Sequence, residues 1–404
     1  MSAPSSAATA AGSARPAYEV ADIVRAYGAT YRSTHDVWPV QGVVLRAIER
    51  CRTAALGGHV EACAACGARR VAYNSCRNRH CPKCQAGARA KWVAAQHAQL
   101  LPIEYFHVVF TLPHALNALV RVNPRRLYAL LFHAAAATLQ CFARDPRHLG
   151  AEIGVTAVLH TWGQTLSQHF HVHCVVTGGG LSPDGQSWVS SRRGFLFPVR
   201  ALSKVFRGKF LAGLRQLRAR GLLHFAGDSA ALADEPGWTP WLRALRATDW
   251  VVYAKPPFGG PERVLKYLGR YTHRVAIANQ RILSIDDGVV CFRWKDYAHH
   301  NQAKVMALPA EEFLRRFLLH VLPSGFMRIR HFGLLANRRR AATLARCRTL
   351  LELAAPVEVN VCDSPRASDD ARPSATAAPQ LCPMCGGGPV RIVEILGPMR
   401  GIPP

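Results

Sequence analysis

Apolar and polar positions change their period several times along the chain, and each change predicts an element. From 169 to 177 the run His-Phe-His-Val-His-Cys-Val-Val-Thr sets His169, His171 and His173 two apart, the spacing that places alternate strand side chains on one face. An apolar run at 153–161 precedes it, and the two predict an antiparallel pair whose exit is punctuated by Gly178, Gly179 and Gly180. Further strands are predicted at 105–111 and 250–254, with a hairpin over 281–294 turning on Asp286, Asp287 and Gly288. Helical spacing covers 17–30, 38–51, 86–100, a stretch opened by Pro113 and reaching about 144, a basic segment at 199–220, and 262–274. This order predicts an α+β fold built on an antiparallel sheet. No internal repeat is visible.

Composition adds bounds. At 404 residues the chain exceeds the usual single domain, so two or three units are expected, and 49% hydrophobic residues suffice for a packed core. No apolar run reaches the roughly 18 residues that cross a bilayer, and the Ala/Ser-rich start lacks the pattern of a secretory signal. A cytoplasmic protein with no membrane partner is expected.

The formal charge of +26 implies a polyanionic partner, because phosphate neutralisation releases counterions and relieves self-repulsion. The cations are clustered: nine fall between Arg192 and Arg220 and nine between Arg315 and Arg348, with no acid in either window. A bias towards arginine explains the count of 43 Arg against 8 Lys, but not the missing acids.

Six of the 13 cysteines lie between Cys51 and Cys84, in the order Cys51, His59, Cys63, Cys66, Cys76, His80, Cys81, Cys84. Cys-x2-Cys pairs in a chain with no secretory signature point to metal rather than disulfides. The two knuckles, 14 residues apart, fit a zinc ribbon with Cys63, Cys66, Cys81 and Cys84 as one thiolate site. Cys51, His59, Cys76 and His80 remain as a second possible set. Cys382 and Cys385 make half a site, with Cys347 and Cys362 or another chain as candidate partners.

Three histidines in register suggest a divalent cation able to polarise a phosphodiester. His169 and His171 form one His-hydrophobic-His pair and His171 and His173 another; only His171 belongs to both. His160, on the preceding strand, is placed to approach as a third ligand; Gln164 and Gln168 are weaker donors. Tyr267 and Tyr271 stand four apart on a predicted helix, so both phenols share a face. A phenolate can attack phosphorus and conserve the bond energy as phosphotyrosine. The bland alternative for such a pair is packing, but Arg263, Lys266, Arg270 and Arg274 ring the same helix and favour a phosphate-facing surface.

From about Arg46 to Arg340 the chain resembles the two-tyrosine HUH transposases of rolling-circle insertion sequences. The resemblance is carried by Cys-Arg-Thr-Ala-Ala-Leu-Gly-Gly-His from Cys51, Tyr-Asn-Ser-Cys-Arg-Asn-Arg-His-Cys-Pro-Lys-Cys-Gln from Tyr73, His-Thr-Trp-Gly-Gln-Thr-Leu from His160, His-Phe-His-Val-His from His169, Tyr-Leu-Gly-Arg-Tyr-Thr-His-Arg from Tyr267, and the segment from Glu311 to Pro323. Phe170 stands where that family usually has a proline. The resemblance implies an HUH nuclease domain behind a small helical and zinc-ribbon domain. It also implies structural Zn²⁺, catalytic Mg²⁺ or Mn²⁺ on His171 and His173, and Tyr267 and Tyr271 as nucleophiles on single-stranded DNA at element ends. The expected organisation is a disordered tail (1–16), the zinc-binding domain (17–104), the catalytic domain (105–350) and a flexible tail with its Cys-x2-Cys (351–404). Two rivals are a plasmid replication initiator or relaxase with the same chemistry, and a zinc-ribbon DNA binder without catalysis. A carboxylate-triad nuclease fits poorly, since the 25 acids lie mostly in predicted loops or linkers.

Overall fold

The computed structural model describes residues 16–97, 99–255, 263–264, 269, 276–297, 299–354 and 381–399. The chain opens with helices α1 (Val20–Thr34) and α2 (Pro39–Glu49), the hairpin β1 (Gly58–Cys63) and β2 (Arg69–Tyr73), and helix α3 (Pro82–His97). There follow β3 (Tyr105–Thr111), α4 (Asn117–Val122), α5 (Pro124–Arg144), β4 (Glu152–Trp162), β5 (Gln168–Leu181), β6 (Trp188–Ser190), α6 (Val199–Ala219), α7 (Glu235–Ala247) and β7 (Val252–Lys255). The remainder comprises β8 (Ile282–Asp286), β9 (Val289–Asp296), β10 (Gln302–Pro309), α8 (Ala310–Leu318), β11 (Ile329–Gly333), α9 (Arg340–Ala354) and β12 (Val390–Leu396).

The central sheet runs β11-β4-β5-β3-β7, with β6 added to the end of β5, and every pairing is antiparallel. Period two divides its side chains cleanly. Phe106, Val108 and Phe110 of β3, Val155, Ala157 and Leu159 of β4, and Phe170, Val172, Cys174 and Val176 of β5 enter one core with α5, α6 and α7. Phe110 and Phe206 meet there at 4.9 Å between ring centroids. Each such side chain, fully buried, is worth about 1.5–3 kcal/mol, so the register is held against slipping by one residue. Its consequence is on the other face, where every odd-numbered residue of β5 is committed.

Gly178, Gly179 and Gly180 do not end β5 as predicted; they lie within it. A Cβ at Gly180 would collide with the carbonyl of Glu152, and one at Gly178 would sit 2.7 Å from the oxygen of Glu104. Close backbone approach from both sides, rather than a turn, explains the glycines. The predicted hairpin is present as β8 and β9, with Asp287 (φ 46°) and Gly288 (φ 76°) supplying the left-handed turn. β10 adds a third strand to it.

The two halves of the chain share a second core. Val24 of α1 and Leu45 of α2 are buried with Phe292 of β9 and Phe313 and Phe317 of α8. The stretch expected to be a free tail from 351 also differs: α9 continues to Ala354, and β12 pairs antiparallel along β1 from Gly58 opposite Leu396 to Cys63 opposite Val390. Residues 355–380 of the expected flexible tail lie outside the described residues, as do residues 1–15 of the expected N-terminal tail. Among the described residues no helix is long and apolar enough to cross a membrane.

Candidate metal centres and nuclease site

The face of the central sheet opposite the phenylalanine core carries the histidines. His160 of β4 stands directly across from His171 of β5, and Val158 across from His173, so the hairpin delivers three imidazoles to one spot. The ligand atoms of His160, His171 and His173 lie within 4.8 Å of one another. Nε2 of His171 and Nε2 of His173 are 3.1 Å apart. Two nitrogens bound at right angles to one ion, with bonds of about 2.1 Å, would be separated by about 3.0 Å, so the pair fits a shared cation.

The other ring nitrogens are occupied in the way such a site requires. His171 Nδ1 lies 2.8 Å from the carbonyl oxygen of His169, which can only accept, so Nδ1 carries the proton and Nε2 offers its lone pair. His173 Nδ1 lies 2.8 Å from Nε2 of His107 on β3, a residue 1% exposed whose ring lies nearly parallel to that of His173, at 8°. Burial holds all of these rings neutral: His171 and His107 are pushed down to about 3, and His173 well below its usual value by burial and by His160 beside it. Neutral imidazole is the form that binds metal, so a cation displaces no proton from His171.

The His169 ring lies 4.9 Å from that of His171, but its ligand nitrogens are not among the converging set. It pairs with His114 at 3.2 Å, and its carbonyl lies against His171 Nδ1. Of the two overlapping His-hydrophobic-His pairs, the structure therefore converges His171 and His173. Gln168 is engaged by Arg121 at 3.3 Å and Gln164 by Tyr297 at 2.9 Å. His107 was not a candidate from sequence, although Phe106 and Val108 on either side of it carry the same alternation as β5.

Tyr267, Tyr271, Lys266, Arg270 and Arg274 lie outside the described residues. Arg263 is described and exposed. Val264, three residues before Tyr267, is buried with Tyr105 and Val175 on the histidine face of the sheet. Thus the described start of that segment lies on the same face as the histidine cluster.

Among the described residues eight cysteines form two groups of four, but not those predicted. Cys51, Cys76, Cys81 and Cys84 converge in one, and Cys63, Cys66, Cys382 and Cys385 in the other. The predicted partition, with Cys63 and Cys66 joined to Cys81 and Cys84, fails on length. Five residues of β1 at about 3.3 Å each separate the hairpin tip at Cys63 from its base by about 17 Å. His59 instead contacts Glu61 at 3.1 Å. His80 accepts a hydrogen bond from the Leu322 amide at 3.1 Å, and burial pushes it down to about 3. Neither histidine belongs to a cysteine group. In the first group the Sγ separations of Cys51 with Cys84, Cys76 with Cys84, and Cys81 with Cys51 are 3.5, 3.6 and 3.7 Å. Tetrahedral zinc with bonds of about 2.3 Å sets its sulfurs about 3.8 Å apart, so these residues fit a structural Zn²⁺.

Comparison with known proteins matches two regions of the chain. Residues 23–112 match a family described as "Transposase zinc-binding domain", and residues 154–342 one described as "Putative transposase". The chain is 53% identical over 392 residues to "Putative transposase y4qJ" of Sinorhizobium fredii, covering 96% of this chain and 98% of that one. It is 30% identical over 316 residues, 76% of this chain and 73% of the other, to "Transposase for insertion sequence element IS801" of Pseudomonas savastanoi pv. phaseolicola. No solved structure matches it significantly. With a cysteine-rich N-terminal module matching one family and the histidine sheet another, the chain belongs to the insertion-sequence transposases that carry a transposase zinc-binding domain.

Proposed function

We propose that this transposase cleaves and rejoins single-stranded DNA at element ends through 5′-phosphotyrosine intermediates. The observation that carries the reading is the convergence of His160, His171 and His173 on one face of the sheet, with both His171 and His173 presenting Nε2. Mg²⁺ or Mn²⁺ bound there would polarise the scissile phosphate and offset charge growing on its oxygens. The His169 carbonyl fixes the tautomer of His171, and His107 fixes the orientation of His173. In the proposed step a phenolate oxygen of Tyr267 or Tyr271 bonds to phosphorus, the P–O3′ bond breaks, and the 3′ oxygen leaves with the electron pair and takes a proton. Attack by a 3′-hydroxyl on the phosphotyrosine reverses the exchange and releases the phenol, so rejoining needs no ATP. A second tyrosine would let one end stay held while another is cut. Arg263, with Lys266, Arg270 and Arg274, would line the phosphate path.

The test is to incubate the full chain with labelled single-stranded element-end DNA and Mg²⁺ or Mn²⁺, comparing wild type, Tyr267→Phe, Tyr271→Phe and the double variant. A metal-dependent adduct that survives denaturation and disappears in the double variant supports the mechanism. DNA binding by wild type without any adduct would reject it in favour of a non-catalytic DNA-binding role.

A further inference from the structure

We propose that Cys63, Cys66, Cys382 and Cys385 hold a second tetrahedral zinc ion, which fastens the C-terminal strand to the N-terminal zinc-binding domain. Cys382 and Cys385 lie outside both matched family regions. The two halves of this site are built alike. Each is Cys-x2-Cys-Gly, and each glycine is left-handed, Gly67 at φ 70° and Gly386 at φ 69°. Each glycine amide donates to the carbonyl of the first cysteine, Gly67 to Cys63 at 3.1 Å and Gly386 to Cys382 at 2.8 Å. The first sulfur of each half accepts backbone amides, Cys63 from Ala65 and Cys66 at 3.3 and 3.4 Å, and Cys382 from Met384 at 3.4 Å. Such amides stabilise thiolate charge and aim the sulfur.

Across the site Cys63 Sγ lies 3.7 Å from Cys385 Sγ, and Cys66 Sγ 3.8 Å from Cys382 Sγ. These match the roughly 3.8 Å separation of sulfurs on one tetrahedral zinc, and are far longer than the roughly 2.05 Å of a disulfide. Gly388 permits the approach, since a Cβ there would stand 2.6 Å from the Cys63 sulfur.

The strand that follows needs such a fastening. β12 is an edge strand, and Ile392, Val393 and Ile395 are 61%, 53% and 84% exposed. It buries little, so the hydrophobic effect does little to hold it, and a short edge ladder by itself is marginal in water. Four thiolates around one ion supply the missing free energy.

The experiment uses the full chain purified with zinc. Bound zinc is counted by mass spectrometry of the metal for wild type, Cys382→Ser/Cys385→Ser and Cys51→Ser/Cys84→Ser, and amide exchange over 390–396 is followed in the first two. The expected result is two zinc ions per chain in wild type, one in Cys382→Ser/Cys385→Ser, and loss of exchange protection in β12 with α5 still protected. Cadmium-113 NMR of the wild type exchanged with Cd²⁺ gives a reading independent of variant folding, with two resonances in the four-sulfur range expected. One zinc in wild type, a single four-sulfur resonance, or two zinc ions retained by Cys382→Ser/Cys385→Ser would overturn the proposal.

Discussion

Replacing His107 by phenylalanine tests whether the histidine cluster is a metal site oriented from behind. The ring is nearly isosteric and stays apolar in a position 1% exposed, so packing is largely kept. What disappears is the 2.8 Å contact from His107 Nε2 to His173 Nδ1. If His173 binds metal through Nε2, its Nδ1 carries a proton, and in the variant that proton faces an apolar ring at a residue only 9% exposed. Leaving a buried donor without an acceptor costs about 1–3 kcal/mol, and lost orienting partners of metal-bound histidines lower affinity about 10- to 100-fold. The expected result is therefore a Kd for Mn²⁺ raised about 10- to 100-fold, measured by electron paramagnetic resonance with the zinc sites filled. His107→Gln, which places an acceptor nearby, should recover part of the loss. Unchanged Mn²⁺ affinity in His107→Phe would refute the reasoning, as would equal losses in both variants with matching losses of thermal stability.

Three further outcomes follow from His320, Gly333 and Arg79. His320 is 1% exposed, with Nε2 3.0 Å from the Leu166 carbonyl and Nδ1 3.2 Å from the Thr161 hydroxyl, and burial pushes it down to about 4. Its folded form stays neutral while the unfolded chain takes up a proton below about 6.5, so its contribution is intact above that pH and falls away towards pH 4, by about 3 kcal/mol in all. His320→Gln should flatten the dependence of urea stability on pH between 6.5 and 4, and an unaltered slope would contradict the assignment. Gly333 at the end of β11 has φ 61°, and a Cβ there would strike the carbonyl of Ile153, so Gly333→Ala should cost at least about 2 kcal/mol in chemical denaturation. Arg79 donates to the carbonyls of Phe326 at 2.6 Å and Pro323 at 2.8 Å, tying the zinc-binding region to the turn before β11. Arg79→Ala should lower stability by about 1.5–3 kcal/mol, and a change under about 0.5 would show that the tie is dispensable.

Much of the site was legible because its periods are local. Alternation of histidine with Phe170 and Val172 announces both the strand and the face, and the apolar half of the pattern, once buried under α5 and α6, forces the imidazoles to the other side. Two knuckles of the Cys-x2-Cys kind announce zinc, and left-handed positions at Asp287 and Gly288 announce the β8–β9 hairpin. Those features depend on residues a few positions apart, where backbone geometry alone sets which side chains can meet. Partnership over long separations was decided only by the tertiary structure. Which histidine pair converges depends on the ladder that sets His160 opposite His171. Which cysteines share an ion depends on the length of β1 and on β12 returning to it from the far end of the chain. His107 joins the cluster only because β3 lies beside β5, with Val109 opposite His173. The physical reason is the same in each case: the alternation of a strand names a face, whereas its neighbour is chosen by burial of the whole sheet, and no single segment of the sequence carries that information.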